Sequence, residues 1–301
     1  MNKYITLFAL AALANIECEA QPNTAVPRLV VGITIDQLNS NDMEHFAALY
    51  GNGGFKKLLN EGVVYENAQY DFAPVNLASA STAIATGASP TDNGITAERW
   101  ISRETLRPVG CTFDKKLMVS PNNVMASTIG DEMKMASNGN ALVFSVAANQ
   151  DAAVLHGGHA ADGVFWMDES SRTWKTSAFY PRNAQTWLDA YLRIPKQGTA
   201  KKNDNQTTCQ LALDCINDHA MGRDAYADLL FVTLSAGNVA TETNAMLARE
   251  AAYRELDRTL ADLILNIEQK VGKDNVLFVL TSTGRSQSNI EDYAKYNIPT
   301  G

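Results

Sequence analysis

The sequence predicts an α/β protein, a three-layer α/β/α sandwich around a mostly parallel central sheet. Two observations carry that prediction. Short continuous apolar runs recur along the chain, and strands buried on both faces read this way rather than as alternating patterns. The runs are separated by segments of helical periodicity, which is the order of a parallel sheet with crossover helices on both faces. With 301 residues and 46% apolar content, the chain is long enough to bury one large core.

The elements follow in order. Leu29-Val30-Val31-Gly32-Ile33-Thr34-Ile35 reads as a buried strand that ends on Asp36. Asp42–Leu59 is helical in pattern but broken by Gly51-Asn52-Gly53-Gly54, so two short helices are expected. Ser79–Thr86 is small and helix-compatible, and Val124–Ala136 reads as a helix with an apolar face. Ala141–Val146 and Val164-Phe165-Trp166 read as strands. Thr173–Ala190 is aromatic-rich and reads as irregular, and Gly198–Thr208 reads as a polar loop. Both fall in an inserted irregular region expected around 160–210. Leu211–Met221 reads as a helix, and Leu229–Leu234 as a strongly apolar strand introduced by Asp228. Glu242–Val271 is a long amphipathic helix with Leu256, Leu260, Leu263 and Ile267 on one stripe and Gly272 as its stop. Val276–Leu280 reads as a further buried strand. No internal repeat and no Pro- or Gly-rich linker divides the chain, so 21–301 reads as one domain.

The net charge of -8 argues against a nucleic-acid surface, and no basic cluster exceeds Lys201-Lys202. Residues 1–20 read as a signal peptide: Lys3, the apolar stretch Ile5 to Leu13, then Cys18-Glu19-Ala20 before Gln21. The stretch is too short to span a bilayer, so an exported, periplasmic or extracellular bacterial protein without a transmembrane segment is expected. Glu17 disfavours lipid attachment at Cys18. Export permits a disulfide, for which Cys209–Cys215 is the short-range pair, while Cys111 is expected to be buried. Cys-x5-Cys with only His219 nearby is a poor zinc pattern.

Asp36 is the residue on which function turns. Ligands of open α/β sheets bind outside the carboxyl ends of the strands, so a carboxylate at the exit of the first strand is a candidate metal ligand or catalytic group. The alternative is that Asp36 caps the following turn.

Four segments decide its context. They are Val30-Val31-Gly32-Ile33-Thr34-Ile35-Asp36-Gln37-Leu38; Thr86-Gly87-Ala88-Ser89-Pro90 with Asn93-Gly94-Ile95 and Trp100; Gly158-His159-Ala160-Ala161-Asp162-Gly163-Val164-Phe165-Trp166; and Tyr253-Arg254-Glu255-Leu256-Asp257 through Val271-Gly272-Lys273 to Val279-Leu280-Thr281. As an ordered set they resemble the alkaline phosphatase superfamily in its type I phosphodiesterase/nucleotide pyrophosphatase branch, and within it the secreted PafA-type alkaline phosphatases of Bacteroidetes. The resemblance implies an alkaline-phosphatase-like fold, continued in the family by a further strand and helix beyond Val276–Leu280. The C-terminal part of that fold is therefore expected to be missing, leaving a sheet edge open to association.

The resemblance also implies two zinc ions on Asp and His ligands at strand ends, with a Thr or Ser nucleophile at a helix N-terminus. Such ions activate the nucleophile and stabilise the entering and leaving oxygens of phosphoryl transfer. The family's first metal Asp matches Asp36. Its nucleophile position, nine residues before Thr86-Gly87, falls on Leu77, and its Gly-His on Ala80-Ser81. A phosphate-contacting Asn falls on Glu98 and a turn His on Asn93. The phosphate-clamping Lys-x-Arg falls on Asn149 and Asp151. The Asp-x-x-x-His metal motif falls on Asn238 and Glu242, and the Asp-His-Gly motif on Thr283-Gly284-Arg285. A last family His lies downstream of an Ile-Pro-Thr-Gly segment matching Ile298–Gly301. Asp36 is then a vestigial metal position, and no cofactor is expected.

Three readings follow. The first is a catalytically inactive pseudophosphatase with a binding or assembly role toward a protein or glycan. The second keeps a metal-dependent phosphomonoesterase or phosphodiesterase, with Ser79 or Ser81 as nucleophile and an oxygen-rich Mg²⁺ or Ca²⁺ site at Asp36, Asn238, Glu242 and Thr283. The third is a serine hydrolase with Ser235, in Thr233-Leu234-Ser235-Ala236-Gly237, and His159 or His219 as base; its elbow lacks the first Gly. His156-Gly157-Gly158-His159 has spacing that invites a metal reading, but two ligands make a poor site.

Overall fold

The computed structural model describes residues 26–194, 203–237 and 245–284. Strand β1 (Leu29–Asp36) is followed by α1 (Ser40–His45), a 3₁₀ turn and α2 (Phe55–Glu61). Helices α3 (Leu77–Thr86) and α4 (Pro90–Asn93) lead into two small hairpins, β2 (Arg99–Ile101) with β3 (Pro108–Gly110) and β4 (Phe113–Asp114) with β5 (Met118–Val119). Next come α5 (Ile129–Ala136), β6 (Val143–Ala147), α6 (Gln150–Gly157), β7 (Gly163–Met167), β8 (Trp174–Lys175) and α7 (Arg182–Arg193). The described chain ends with α8 (Asp204–Asp218), β9 (Asp228–Ser235), α9 (Ala245–Val271) and β10 (Val276–Ser282).

The central sheet runs β10-β1-β9-β6-β7-β8, parallel throughout except for the short β8. Alternate residues of each strand serve the two faces, as the two-residue period of a strand requires. On one face Leu29, Val31, Ile33 and Ile35 of β1 join Leu230, Val232 and Leu234 of β9. They pack against Leu211 and Ile216 of α8 and the expected stripe Leu256, Leu260, Leu263 and Ile267 of α9. On the other face Val143, Val164, Leu229 and Phe231 meet Ala152, Ala153 and Val154 of α6, with Leu77 and Ile84 of α3 against them. The three-layer α/β/α architecture read from the sequence is the architecture observed.

Gly32 in the middle of β1 is required by packing. A Cβ there would lie 2.7 Å from the ring of Phe231 on the neighbouring strand, a close approach that strand glycines commonly mark. Outside the sheet, Asp257 of α9 fixes the glycine-rich turn between the two short helices. Its carboxylate accepts from Gly51 N at 2.8 Å and Phe55 N at 2.9 Å.

Several boundaries differ from the sequence reading for identifiable reasons. The helix expected over Val124–Ala136 begins at Ile129, because Thr128 and Asp131 form a reciprocal capping box. The stretch Thr173–Ala190, expected to be irregular, contains β8 and most of α7. That helix starts after Pro181 and buries Ala184, Leu188 and Tyr191 along one stripe. The loop expected to reach Thr208 gives way to α8 at Asp204, capped by Asn203 with Gln206, so the helix read as Leu211–Met221 spans Asp204–Asp218. The region around 160–210 is thus largely regular in its described parts. Cys209 and Cys215, the candidate short-range pair, are unbonded and buried, six residues apart on one helix. Cys111 is buried, as expected.

Strand β10 was expected to be buried, yet it alternates. Val276, Phe278 and Leu280 pack toward the core, whereas Leu277 and Val279 are 48% and 47% exposed. It pairs with β1 only and forms one edge of the described sheet. No helix among the described residues is long and apolar enough to cross a membrane.

Candidate functional site

Parallel strands deliver their carboxyl ends to one rim, and the predicted site residues gather there. Asp36 closes β1 and Thr283 follows β10, the strand beside it. The Thr283 hydroxyl donates to Asp36 Oδ1 at 2.8 Å and accepts from Gln37 N at 3.0 Å. Gln37, in the left-handed region at φ 60°, turns its Nε2 onto Asp36 Oδ2 at 3.3 Å. Burial pushes the Asp36 carboxyl above the ordinary carboxylate range, and the hydrogen bonds from Thr283 and Gln37 partly offset that. Gly284 follows at positive φ, packed near Tyr70. Asp36 and Thr283 therefore come together at the rim. Asn238 and Glu242, with Arg285, lie outside the described residues, as do residues 1–20.

Leu77 is the first residue of α3, at the helix N-terminus to which the resemblance assigns a nucleophile. Asn76 caps that helix, accepting from Ser79 N at 3.0 Å while Asn76 N donates to Ser79 Oγ at 3.0 Å. The Leu77 side chain packs against the apolar cluster around α6. Ser79 is fully buried with its hydroxyl committed to this cap, and Ser81 is fully buried with no hydrogen-bond partner. Neither fallback hydroxyl opens onto the rim.

Asp151 lies in the first turn of α6, where a carboxylate favours the helix dipole. It accepts from Thr112 Oγ1 at 2.5 Å, and Gln150 Nε2 donates to the same hydroxyl at 3.1 Å. Asn149, the other clamp position, is the N-cap of α6. Glu98, Thr112, Gln150 and Asp151 line one cleft of about 370 Å³, together with Arg99, Phe113 and Met118. Burial first, then the negative charges of Asp151 and Asp36, push the Glu98 carboxyl upward. Burial and Asp151 likewise push up the thiol of Cys111. Glu98 thus lies within electrostatic reach of both Asp151 and Asp36. Thr112 and Gln150 were not anticipated: nothing in the spacing of Thr112 links it to Asp151, and only the fold brings them together.

The remaining histidines are placed elsewhere. His156 is fully buried, with Nδ1 2.9 Å from Ala152 O and Nε2 3.1 Å from Thr34 Oγ1. His159 turns away to a second cleft, where its Nδ1 lies 3.3 Å from Asp131 Oδ2. The two rings of the His-Gly-Gly-His stretch do not converge. His219 packs, tilted, against the rings of Phe144 and Trp187. Ser235 is exposed at the end of β9, and its Oγ accepts from Gly237 N at 3.1 Å. With His159 on Asp131 and His219 in the aromatic cluster, neither serves Ser235 as a base.

Among the described residues, the donor set for a two-zinc centre is incomplete. The described rim contributes the Asp36 carboxylate and the Thr283 hydroxyl, both oxygen, where zinc takes nitrogen and sulfur as well. Among the described residues, no group of three or more His, Cys, Asp and Glu could hold a metal ion.

Known proteins place the chain in a family. The chain is 27% identical to alkaline phosphatase PafA of Elizabethkingia meningoseptica over 351 aligned positions, covering 94% of this chain and 64% of that protein. It is also 27% identical to alkaline phosphatase PhoV of Synechococcus elongatus, covering 96% and 64%. The crystal structure of wild-type alkaline phosphatase PafA superposes with a TM-score of 0.80 at 27% identity, over 91% of this chain and 66% of that one. Phosphonoacetate hydrolase from Sinorhizobium meliloti, at 17% identity and TM-score 0.53, shares the fold. The chain thus spans slightly under two thirds of alkaline phosphatases PafA and PhoV. A match to the model of type I phosphodiesterase / nucleotide pyrophosphatase runs from residue 30 to 291, and the chain belongs to that family.

Proposed function

We propose that this chain is a non-hydrolytic member of its family, an exported α/β scaffold with a binding or assembly role toward a protein or glycan. The observation that carries the reading is Leu77 at the first position of α3. A hydrocarbon side chain has no atom to attack phosphorus, and no metal or base can activate one. Two features support it. Glu98 and Asp151 line the cleft where the resemblance puts phosphate-binding groups, and carboxylates repel a phosphate dianion where cations would stabilise its transition state. The zinc donor set is also incomplete among the described residues. Export rests on Lys3, the apolar stretch Ile5 to Leu13 and the small-residue exit at Ala20. The test is hydrolysis of p-nitrophenyl phosphate and its diester, with Asp36→Ala as the comparison. A rate abolished by Asp36→Ala overturns the reading and favours a metal-dependent hydrolase.

A further inference from the structure

We propose that Asn52-Gly53 is a self-modification site, where Asn52 converts to aspartate and isoaspartate through a cyclic imide and so loosens the turn from α9. The reaction needs water and no enzyme. The Gly53 backbone nitrogen gives up its proton and attacks Cγ of Asn52. A new C–N bond forms at Cγ, the bond from Cγ to Nδ2 breaks, and Nδ2 leaves with a proton as ammonia. Water then opens the ring. Breaking the new C–N bond gives aspartate, and breaking the bond to the main-chain carbonyl of Asn52 gives isoaspartate. One water is consumed and one ammonia released, and nothing is oxidised or reduced. Glycine favours the attack because no side chain crowds the attacking nitrogen.

The sequence holds three Asn-Gly pairs, Asn52-Gly53, Asn93-Gly94 and Asn138-Gly139, and the fold separates them. Asn93 is fully buried and its carboxamide is tied at both ends: Nδ2 donates to Ala88 O at 2.8 Å and Oδ1 accepts from Ile95 N at 2.9 Å. Its nucleophile is tied as well, since Gly94 N donates to Pro90 O at 3.0 Å. Asn138 is exposed, but Gly139 N donates to Lys134 O at 2.7 Å, which commits the attacking nitrogen. Asn52 is also exposed, and neither its carboxamide nor Gly53 N has a hydrogen-bond partner among the described residues. Only at this pair are both reacting groups free of competing bonds.

The consequence follows from what grips the turn. Asp257 of α9 accepts from Gly51 N and Phe55 N, so one carboxylate bridges the residues on either side of the pair. The packing inside that bridge is close. A Cβ on Gly54 would come 2.4 Å from Asp257 Oδ1, and one on Gly53 would come 3.1 Å from Ala261 Cβ. Isoaspartate inserts an extra carbon into the bridged main chain, and either product adds a negative charge to a turn already held by a carboxylate. Both changes weaken the contact of α2 with α9, which Lys57 and Glu268 also join.

The full chain is aged in mildly alkaline buffer, digested and mapped by mass spectrometry, with isoaspartate counted by enzymatic methylation of its carboxylate. Deamidation is expected at Asn52 first, roughly tenfold faster than at Asn138, whose glycine must give up a hydrogen bond before it reacts. Asn93 is expected to stay intact. The same chain aged in urea is expected to lose the distinction, because unfolding frees all three pairs. The aged chain should unfold at lower urea than the fresh one, whereas Asn52→Gln aged in parallel should keep its midpoint. Reaction at Asn138 as fast as at Asn52 in the folded chain overturns the proposal, as does an Asn52 that reacts in urea but stays intact in the folded chain. A fully modified chain with an unchanged midpoint, or a loss that Asn52→Gln shares, overturns the link to α9.

Discussion

His156 occupies the centre of the molecule with no exposed surface. The Ala152 carbonyl can only accept, so Nδ1 carries the hydrogen and Nε2 accepts from Thr34. Burial lowers its pKa from the ordinary 6.5 to about 4. Between those values the unfolded chain takes up a proton that the folded chain refuses. Stability attributable to His156 is therefore complete above about pH 6.5, falls as the pH drops toward 4, and is flat below it. The loss amounts to about 3 kcal/mol across that window. Urea unfolding at stepwise pH should show it, and a folded His156→Gln variant should show a shallower slope there. His159 has the opposite sign: its pairing with Asp131 raises its pKa, and that contribution fades as pH rises. At the rim, Leu77→Thr supplies a hydroxyl at the N-terminus of α3 but leaves Glu98 and Asp151 in place. It is expected to gain no phosphatase activity in the presence of zinc; appearance of zinc-dependent turnover would assign the missing chemistry to Leu77 alone. Residue-scale legibility was uneven. The meeting of Asp36 with Thr283, 247 residues later, was readable because a family motif located both positions. The separation of His156 from His159 was not, because Gly157 packs against Val164 and Gly158 adopts a positive φ, and together they send the rings apart.

At the scale of elements, continuous apolar runs and long periodic stripes were the readable parts. β1, β9 and the α9 stripe lie where their patterns put them, since burial on two faces leaves a strong signature. Helix starts were misplaced where capping boxes, rather than apolar periodicity, set them: Thr128 with Asp131, and Asn203 with Gln206. The small hairpins β2–β3 and β4–β5 are too short to show a period. Two substitutions test the packing logic. Gly32→Ala places a methyl group against the Phe231 ring and should destabilise by about 1–3 kcal/mol, read from the urea midpoint. Asn76→Ala removes the cap of α3 and should cost about 1 kcal/mol by the same measurement.

At the scale of the molecule, the sheet ends unevenly. One described edge is the short β8; the other is β10, whose Leu277 and Val279 stay half-exposed. Among the described residues β10 pairs with β1 alone, and an apolar edge of that kind is a template for association. Leu277→Lys should reduce concentration-dependent light scattering while changing stability by less than about 1 kcal/mol, because the residue is already half in water. The rim formed by Asp36, Thr283, Leu77, Glu98 and Asp151 lies at the carboxyl ends of that sheet, where this fold class carries its chemistry. The most direct measurement is therefore p-nitrophenyl phosphate hydrolysis by the purified chain, with and without added zinc, beside Asp36→Ala. The expected result is a rate indistinguishable among the chain, Asp36→Ala and buffer. Saturable hydrolysis that Asp36→Ala abolishes would contradict it.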